Sequence, residues 1–222
     1  MNEIGYIVIF TIATAALATL LMLPPGILVG WLLARRRFRG RVLLETLVSL
    51  PLVMPPVATG LILLMLVAPA GPIGRALERA GIEVVFTWKA VVLAMAVMGL
   101  PLVARTVRAG IEQVDQRYEA VAATLGASPW RVFMSITLPL ALPGVLAGAV
   151  LGFARALGEF GATIMVAGSI PGSTRTLAVA IYSFAETGRD ADALALVLIC
   201  GAIAFVALWL SNWLAARAGL RA

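Results

Sequence analysis

The chain has no histidine, one cysteine and one lysine among its 222 residues. Each scarcity removes a class of chemistry. Without histidine no Ser and His dyad can form, and the three aspartates, Asp115, Asp190 and Asp192, lie outside the apolar stretches. An intramembrane protease therefore lacks its usual catalytic groups. With Cys200 alone, a disulfide within the chain is excluded and a His and Cys metal cluster has a single ligand to build on. A phosphate-cradling loop needs GxxxxGK followed by Ser or Thr, yet Lys89 is followed by Ala90. Charge of both signs is also sparse, at 13% of residues.

What is present is apolar. A chain that is 62% hydrophobic with mean hydropathy +1.03 carries more apolar surface than a soluble domain can bury, which describes an integral membrane protein, and apolar runs of helix-spanning length make the expected fold all-α. The net charge of +6 comes almost wholly from arginines placed between apolar runs, so no nucleic-acid partner is expected. The first run, about residues 7–33, has no basic residue before it and is too long for the core of a signal peptide. A retained first helix is the expectation.

A helix needs roughly 20 apolar residues to cross the bilayer core. Five stretches meet that length, at about 7–33, 47–68, 88–108, 139–158 and 194–214. If the connection after the first is cytoplasmic, that side holds eleven arginines: 35, 36, 37, 39, 41, 105, 108, 117, 131, 217 and 221. The other side holds five basic residues, Arg75, Arg79, Lys89, Arg175 and Arg189, with seven acids. The excess orients the chain with its N-terminus outside and its C-terminus inside.

One polar interruption does not fit a slack loop. Residues 112–138 read EQVDQRYEAVAATLGASPWRVFMSITL and run into Pro139. Alanines around Glu119 favour a short helix that Gly126 and Pro129 end, and a second helical stretch follows from Trp130 to Leu138. The orientation above puts this helix, turn and helix in the cytoplasm.

The order Glu119, Ala122, Ala123, Leu125, Gly126, Ala127, then Phe133, Ile136, Leu138 and Pro139 resembles the EAA loop of binding-protein-dependent ABC importer permeases. The likeness to the molybdate permease subfamily covers most of the chain from about Pro24. It includes PLVMPP at 51–56, RVF at 131–133 and LGEFGATI at 157–164. One departure is visible: Glu119 stands seven residues before Gly126 where the common spacing is six, and Ala120 holds the usual place.

The resemblance implies a single permease domain over residues 1–222, with a cytoplasmic coupling helix between spans three and four, in the loop at about 110–138. It implies a multi-pass protein of a prokaryotic inner membrane that pairs with a second copy of itself and with two ABC ATPase subunits. An extracytoplasmic binding protein would deliver molybdate, and ATP and magnesium would sit on the ATPases, with no cofactor in this chain. Glu119, Ala122, Gly126, Pro129, Arg131 and Pro139 would form the coupling site, Glu119 and Arg131 by polar contact with the ATPase. Sulfate or thiosulfate permeases have a similar loop, and tungstate matches molybdate in size and charge. An uncoupled channel would leave the structured loop unexplained.

Three further features remain. Gly144, Gly148 and Gly152 recur every four residues and make a small-residue ridge for close helix packing. Arg155 and Glu159, four apart at the outer end of span four, are expected to pair, either as a structural ion pair or, with Thr163, as part of a translocation route. Residues 160–193 are too interrupted to span, so they should start and finish outside, as a solvated loop or a re-entrant element. Prolines at 24, 25, 51, 55, 56 and 101 should kink helices where other helices or a hydrated path can satisfy the freed carbonyls.

Overall fold

A computed structural model describes residues 2–219, with side chains as far as Trp213. All regular elements among them are helices: α1 (Glu3–Arg35), α2 (Arg41–Val53), α3 (Pro56–Val67), α4 (Gly74–Arg79), α5 (Trp88–Glu112), α6 (Gln116–Thr124), α7 (Pro129–Leu140), α8 (Leu142–Leu157), α9 (Gly161–Ala167), α10 (Leu177–Glu186) and α11 (Asp190–Gly219). Of the charges used to orient the chain, Arg221 lies outside the described residues and the side chain of Arg217 lies beyond those described.

Glycine sets the central packing. Between apolar helices in lipid the drive to associate is close contact, which small residues allow. A Cβ on Gly26 of α1 would stand 2.7 Å from Val103 of α5, and one on Gly30 would stand 3.0 Å from the Ala104 carbonyl. These pairs advance in step along both chains, so α1 and α5 run parallel. On its other side α5 meets the ridge of α8. A Cβ on Gly144 would come within 2.7 Å of the Gly110 Cα, one on Gly148 within 3.3 Å of Val107, and one on Gly152 within 2.6 Å of Val103. Here the numbers run in opposite directions, so α8 is antiparallel to α5.

α1, α5 and α11 are each long and apolar enough to cross a membrane unaided. The stretch expected at 47–68 differs. It breaks at Met54 and Pro55 into α2 and α3, which meet at 113°. Met54 is extended at ψ 145° because a residue before proline is driven out of the helical region, and Pro55 and Pro56 contribute no N–H to continue the ladder. α3, at 12 residues, is about 18 Å long, and α2 buries none of its residues. The stretch at 139–158 likewise bends by 71° between α7 and α8, at Ala141. Pro101 is buried in α5, whereas Pro24 and Pro25 are exposed on α1, not packed against a helix of this chain.

Residues 160–193 are not a solvated loop. α9 is wedged against α3 and α5: a Cβ on Gly60 would lie 2.7 Å from the Ala162 Cα, one on Gly161 would meet Pro56 at 2.7 Å, and Ala162 clusters with Ala94 and Met98. In α10, Leu177, Ala180 and Phe184 pack with Ile7 and Leu196. The Leu177 N–H donates to the Thr11 hydroxyl at 2.8 Å and the Tyr6 hydroxyl to the Gly172 carbonyl at 2.8 Å. Glu3 receives Arg175 at 3.4 Å and Arg189 at 3.1 Å, joining this segment to the start of α1. Hydrogen bonds to Asp192 and Glu3 raise the pKa of Arg189.

Candidate functional site

The helix, turn and helix at 112–138 forms as its residues dictate. The Asp115 carboxylate accepts from the Arg117 N–H at 2.9 Å and starts α6. At the other end Gly126 takes φ +83°, its N–H reaching the Ala123 carbonyl at 3.0 Å and that of Ala127 the Ala122 carbonyl at 3.1 Å. This paired closure favours glycine at the left-handed position. Ser128 then caps α7, with its hydroxyl 3.4 Å from the Arg131 N–H, and Pro129 occupies the first helical position.

Inside α7, residues Phe133–Thr137 make a wide π-turn, and the Leu138 N–H bonds to the Phe133 carbonyl five residues back. The turn brings the buried Thr137 hydroxyl to Glu119, to which it donates at 2.7 Å. The same carboxylate oxygen receives Nε of Arg35, at the C-terminal end of α1, at 2.9 Å. Arg35 also donates through Nη2 to the Val114 carbonyl at 2.7 Å, so it grips the approach to α6 and α6 itself. The side chains of Arg35 and Glu119 are 8% and 19% exposed, and both contacts fall on one oxygen, Oε1.

Within the chain, Glu119 faces Arg35 and Thr137. Arg131, Pro129 and Pro139 are exposed, and Ala122 supplies a carbonyl to the glycine turn. A Cβ on Gly126 would meet nothing within 4 Å, so its constraint is backbone conformation, not contact inside the chain. Around it Tyr118, Val121, Leu125, Trp130 and Met134 form an exposed apolar surface, with Leu125 at 83%. Sequence reasoning missed Arg35 and Thr137 as partners of Glu119. The only signal for Arg35 was a positive charge closing an apolar run.

A second cluster sits where α8 ends. Arg155 Nη2 and Glu159 Oε2 are 2.7 Å apart, and Glu159 Oε1 accepts from the Ala162 N–H at 2.8 Å, closing the first turn of α9. Glu159 is 1% exposed. Thr163 is buried, and its hydroxyl has no hydrogen-bond partner among the described residues, as also for Thr59 and Thr176. The α5 and α8 register places Arg155 level with Met98, about 15 Å along α5 from Trp88, deeper than the outer end the sequence suggested. Among the described residues no three metal-ligating side chains come together. The surfaces presented are an exposed apolar face on a helix, turn and helix, and a polar break between α8 and α9.

Residues 26–219 match the family described as binding-protein-dependent transport system inner membrane component. The chain is 47% identical over 210 residues to the molybdenum transport system permease protein ModB of Escherichia coli, covering 94% of this chain and 92% of that protein. It is 37% identical to the sulfate transport system permease protein CysT of the same species, covering 88% and 71%. Among solved structures, a bacterial alginate ABC transporter in complex with a pentasaccharide-bound periplasmic protein shares the fold, with a TM-score of 0.72 at 18% identity over 98% of this chain and 80% of that one. The chain belongs to the binding-protein-dependent transport system inner membrane component family, the permeases of ABC transporters.

Proposed function

We propose that this chain is the membrane permease of an ATP-driven molybdate importer, acting as a homodimer in the cytoplasmic membrane of a prokaryote. The observation that carries the reading is the 47% identity, sustained over nearly the whole chain, to a molybdenum transport permease. α1, the bent pair α2 and α3, α5, the bent pair α7 and α8, and α11 make five passes with the N-terminus outside and the C-terminus inside. The arginine excess supports that orientation. The anion route follows the two-fold axis, with Arg155, Glu159 and Thr163 beside it.

Two ATPase subunits, which bind the ATP and magnesium, each receive one coupling loop on the surface of Tyr118, Val121, Leu125 and Trp130, with Arg131 at its edge. Closure of the ATPases draws the two loops together and opens the route outward. The anion enters from an extracytoplasmic molybdate-binding protein, and hydrolysis turns the route inward. Sulfate import is the second reading, favoured by the identity to the sulfate permease.

Uptake separates the two. In cells lacking this chain, restoring it should return labelled molybdate uptake at low external concentration and leave sulfate uptake unchanged. Return of sulfate uptake alone would transfer the assignment to sulfate.

A further inference from the structure

Arg155 and Glu159 form one ion pair, yet the structure treats its halves differently. Glu159 is 1% exposed and each oxygen is used, one by Arg155 at 2.7 Å and one by the Ala162 N–H at 2.8 Å. The Arg155 side chain is 27% exposed. Helix register fixes which way that exposed part faces.

Ala149, Val150 and Phe153 of α8 line a wholly apolar groove with α1 and α11, a surface suited to lipid. Arg155 is two positions beyond Phe153, which is about 200° around the helix, so it points away from that groove. It stands seven residues beyond Gly148 and eleven beyond Gly144, within about 20° of both, so it continues the face turned to α5, on which α9 also packs through Ala162. Gly158, one turn further on, is exposed, and a Cβ there would meet nothing within 4 Å. The exposed part of a guanidinium turned from an apolar groove, at the depth of a bilayer, needs water or an anion beside it.

We infer that Arg155 is a contact for the translocated oxyanion midway along the route, and that Glu159 is a positioning residue that never touches the anion. This rests on the importer reading above and divides a role given there to both residues. The guanidinium offers N–H donors matched to an oxyanion, while the buried carboxylate beside it cancels most of its charge. Contact is thereby kept weak enough for the anion to leave, as conduction requires. Through the Ala162 N–H, Glu159 also fixes where α8 stops and α9 begins, so the guanidinium is held at the break.

The test is a charge-neutral double variant, Arg155→Met with Glu159→Gln. The introduced glutamine would still accept from the Ala162 N–H, and a purely structural pair tolerates joint neutral replacement. The expected result is normal abundance in the membrane with molybdate uptake reduced at least tenfold. Arg155→Lys should retain part of the uptake. Uptake by the double variant within twofold of wild type would overturn the assignment, as would loss of both this variant and Arg155→Lys from the membrane. A second measurement uses Arg155→Cys in a Cys200→Ala background. A charged thiol reagent should modify it, and molybdate should slow the reaction; no modification overturns the inference. Wild-type chain that restores no molybdate uptake would instead sink the importer reading itself.

Discussion

Replacing Glu119 with alanine tests whether the carboxylate acts inside the chain or on the ATPase. The change removes two charge-assisted hydrogen bonds, from Arg35 at 2.9 Å and from Thr137 at 2.7 Å. Each such bond contributes about 1.5 kcal/mol. Because the carboxylate is 19% exposed at an aqueous surface, solvent recovers part of that, leaving a net cost of about 2 kcal/mol. Expressed on the barrier to coupled transport, this is roughly a 30-fold fall in kcat/KM. Glu119→Gln keeps an acceptor oxygen and should cost about 1 kcal/mol, near fivefold. Arg35→Ala should match Glu119→Ala or exceed it slightly, because the bond to the Val114 carbonyl is lost as well. The assay is anion uptake into vesicles containing the assembled transporter, with ATP hydrolysis followed in parallel. The double variant Arg35→Ala with Glu119→Ala should be no worse than the poorer single variant by more than about 0.5 kcal/mol. Full additivity, or normal transport in Arg35→Ala beside a defect in Glu119→Ala, would refute an internal strut and return Glu119 to the ATPase interface.

Other expectations follow from the same contacts. Gly126→Val should impair coupled uptake and leave membrane abundance unchanged, since φ +83° costs a β-branched residue about 1–2 kcal/mol while space is open; Gly126→Asn should be nearly silent, and equal defects would contradict the backbone argument. Gly144→Leu should lower assembled protein severely, because its Cβ alone would sit 2.7 Å from the Gly110 Cα, whereas Gly158→Ala should assemble normally by detergent gel filtration. In a Cys200→Ala chain, Leu125→Cys should react with an impermeant thiol reagent only from the cytoplasmic side and Gly172→Cys only from outside. Reaction of both from one side would overturn the five-pass orientation.

Much of this was legible in sequence where the signal is local. α1, α5 and α11 follow from apolar length, and α6 with its glycine closure follows from the alanines, Gly126 and Pro129. Direction was not legible: apolar content at 47–68 reports a lipid-compatible segment but not a 113° turn, although Pro55 and Pro56 stood at the break. For α9 and α10 the sequence left a solvated loop and a re-entrant element open, because seven and ten residues are too short to announce burial, which comes from Gly60, Gly161 and Thr11 in distant parts of the chain. The partner of Glu119 was hidden for the same reason, lying 84 residues away with no motif linking the two.

The wide turn at Phe133–Thr137 bears on how relatives of this protein are to be aligned. A π-turn accommodates one residue more than the α-helix it interrupts. A relative lacking one residue here could close the turn to regular α-helix and keep the helices on both sides nearly in place, since five residues of a π-turn cover about the rotation and rise of four in an α-helix. The residue lost would come from the turn that carries Thr137 to Glu119. A single-residue gap at this place thus leaves the phase between the glycine turn and α8 unchanged, and residues on its two sides correspond in space only when the gap is set inside the turn.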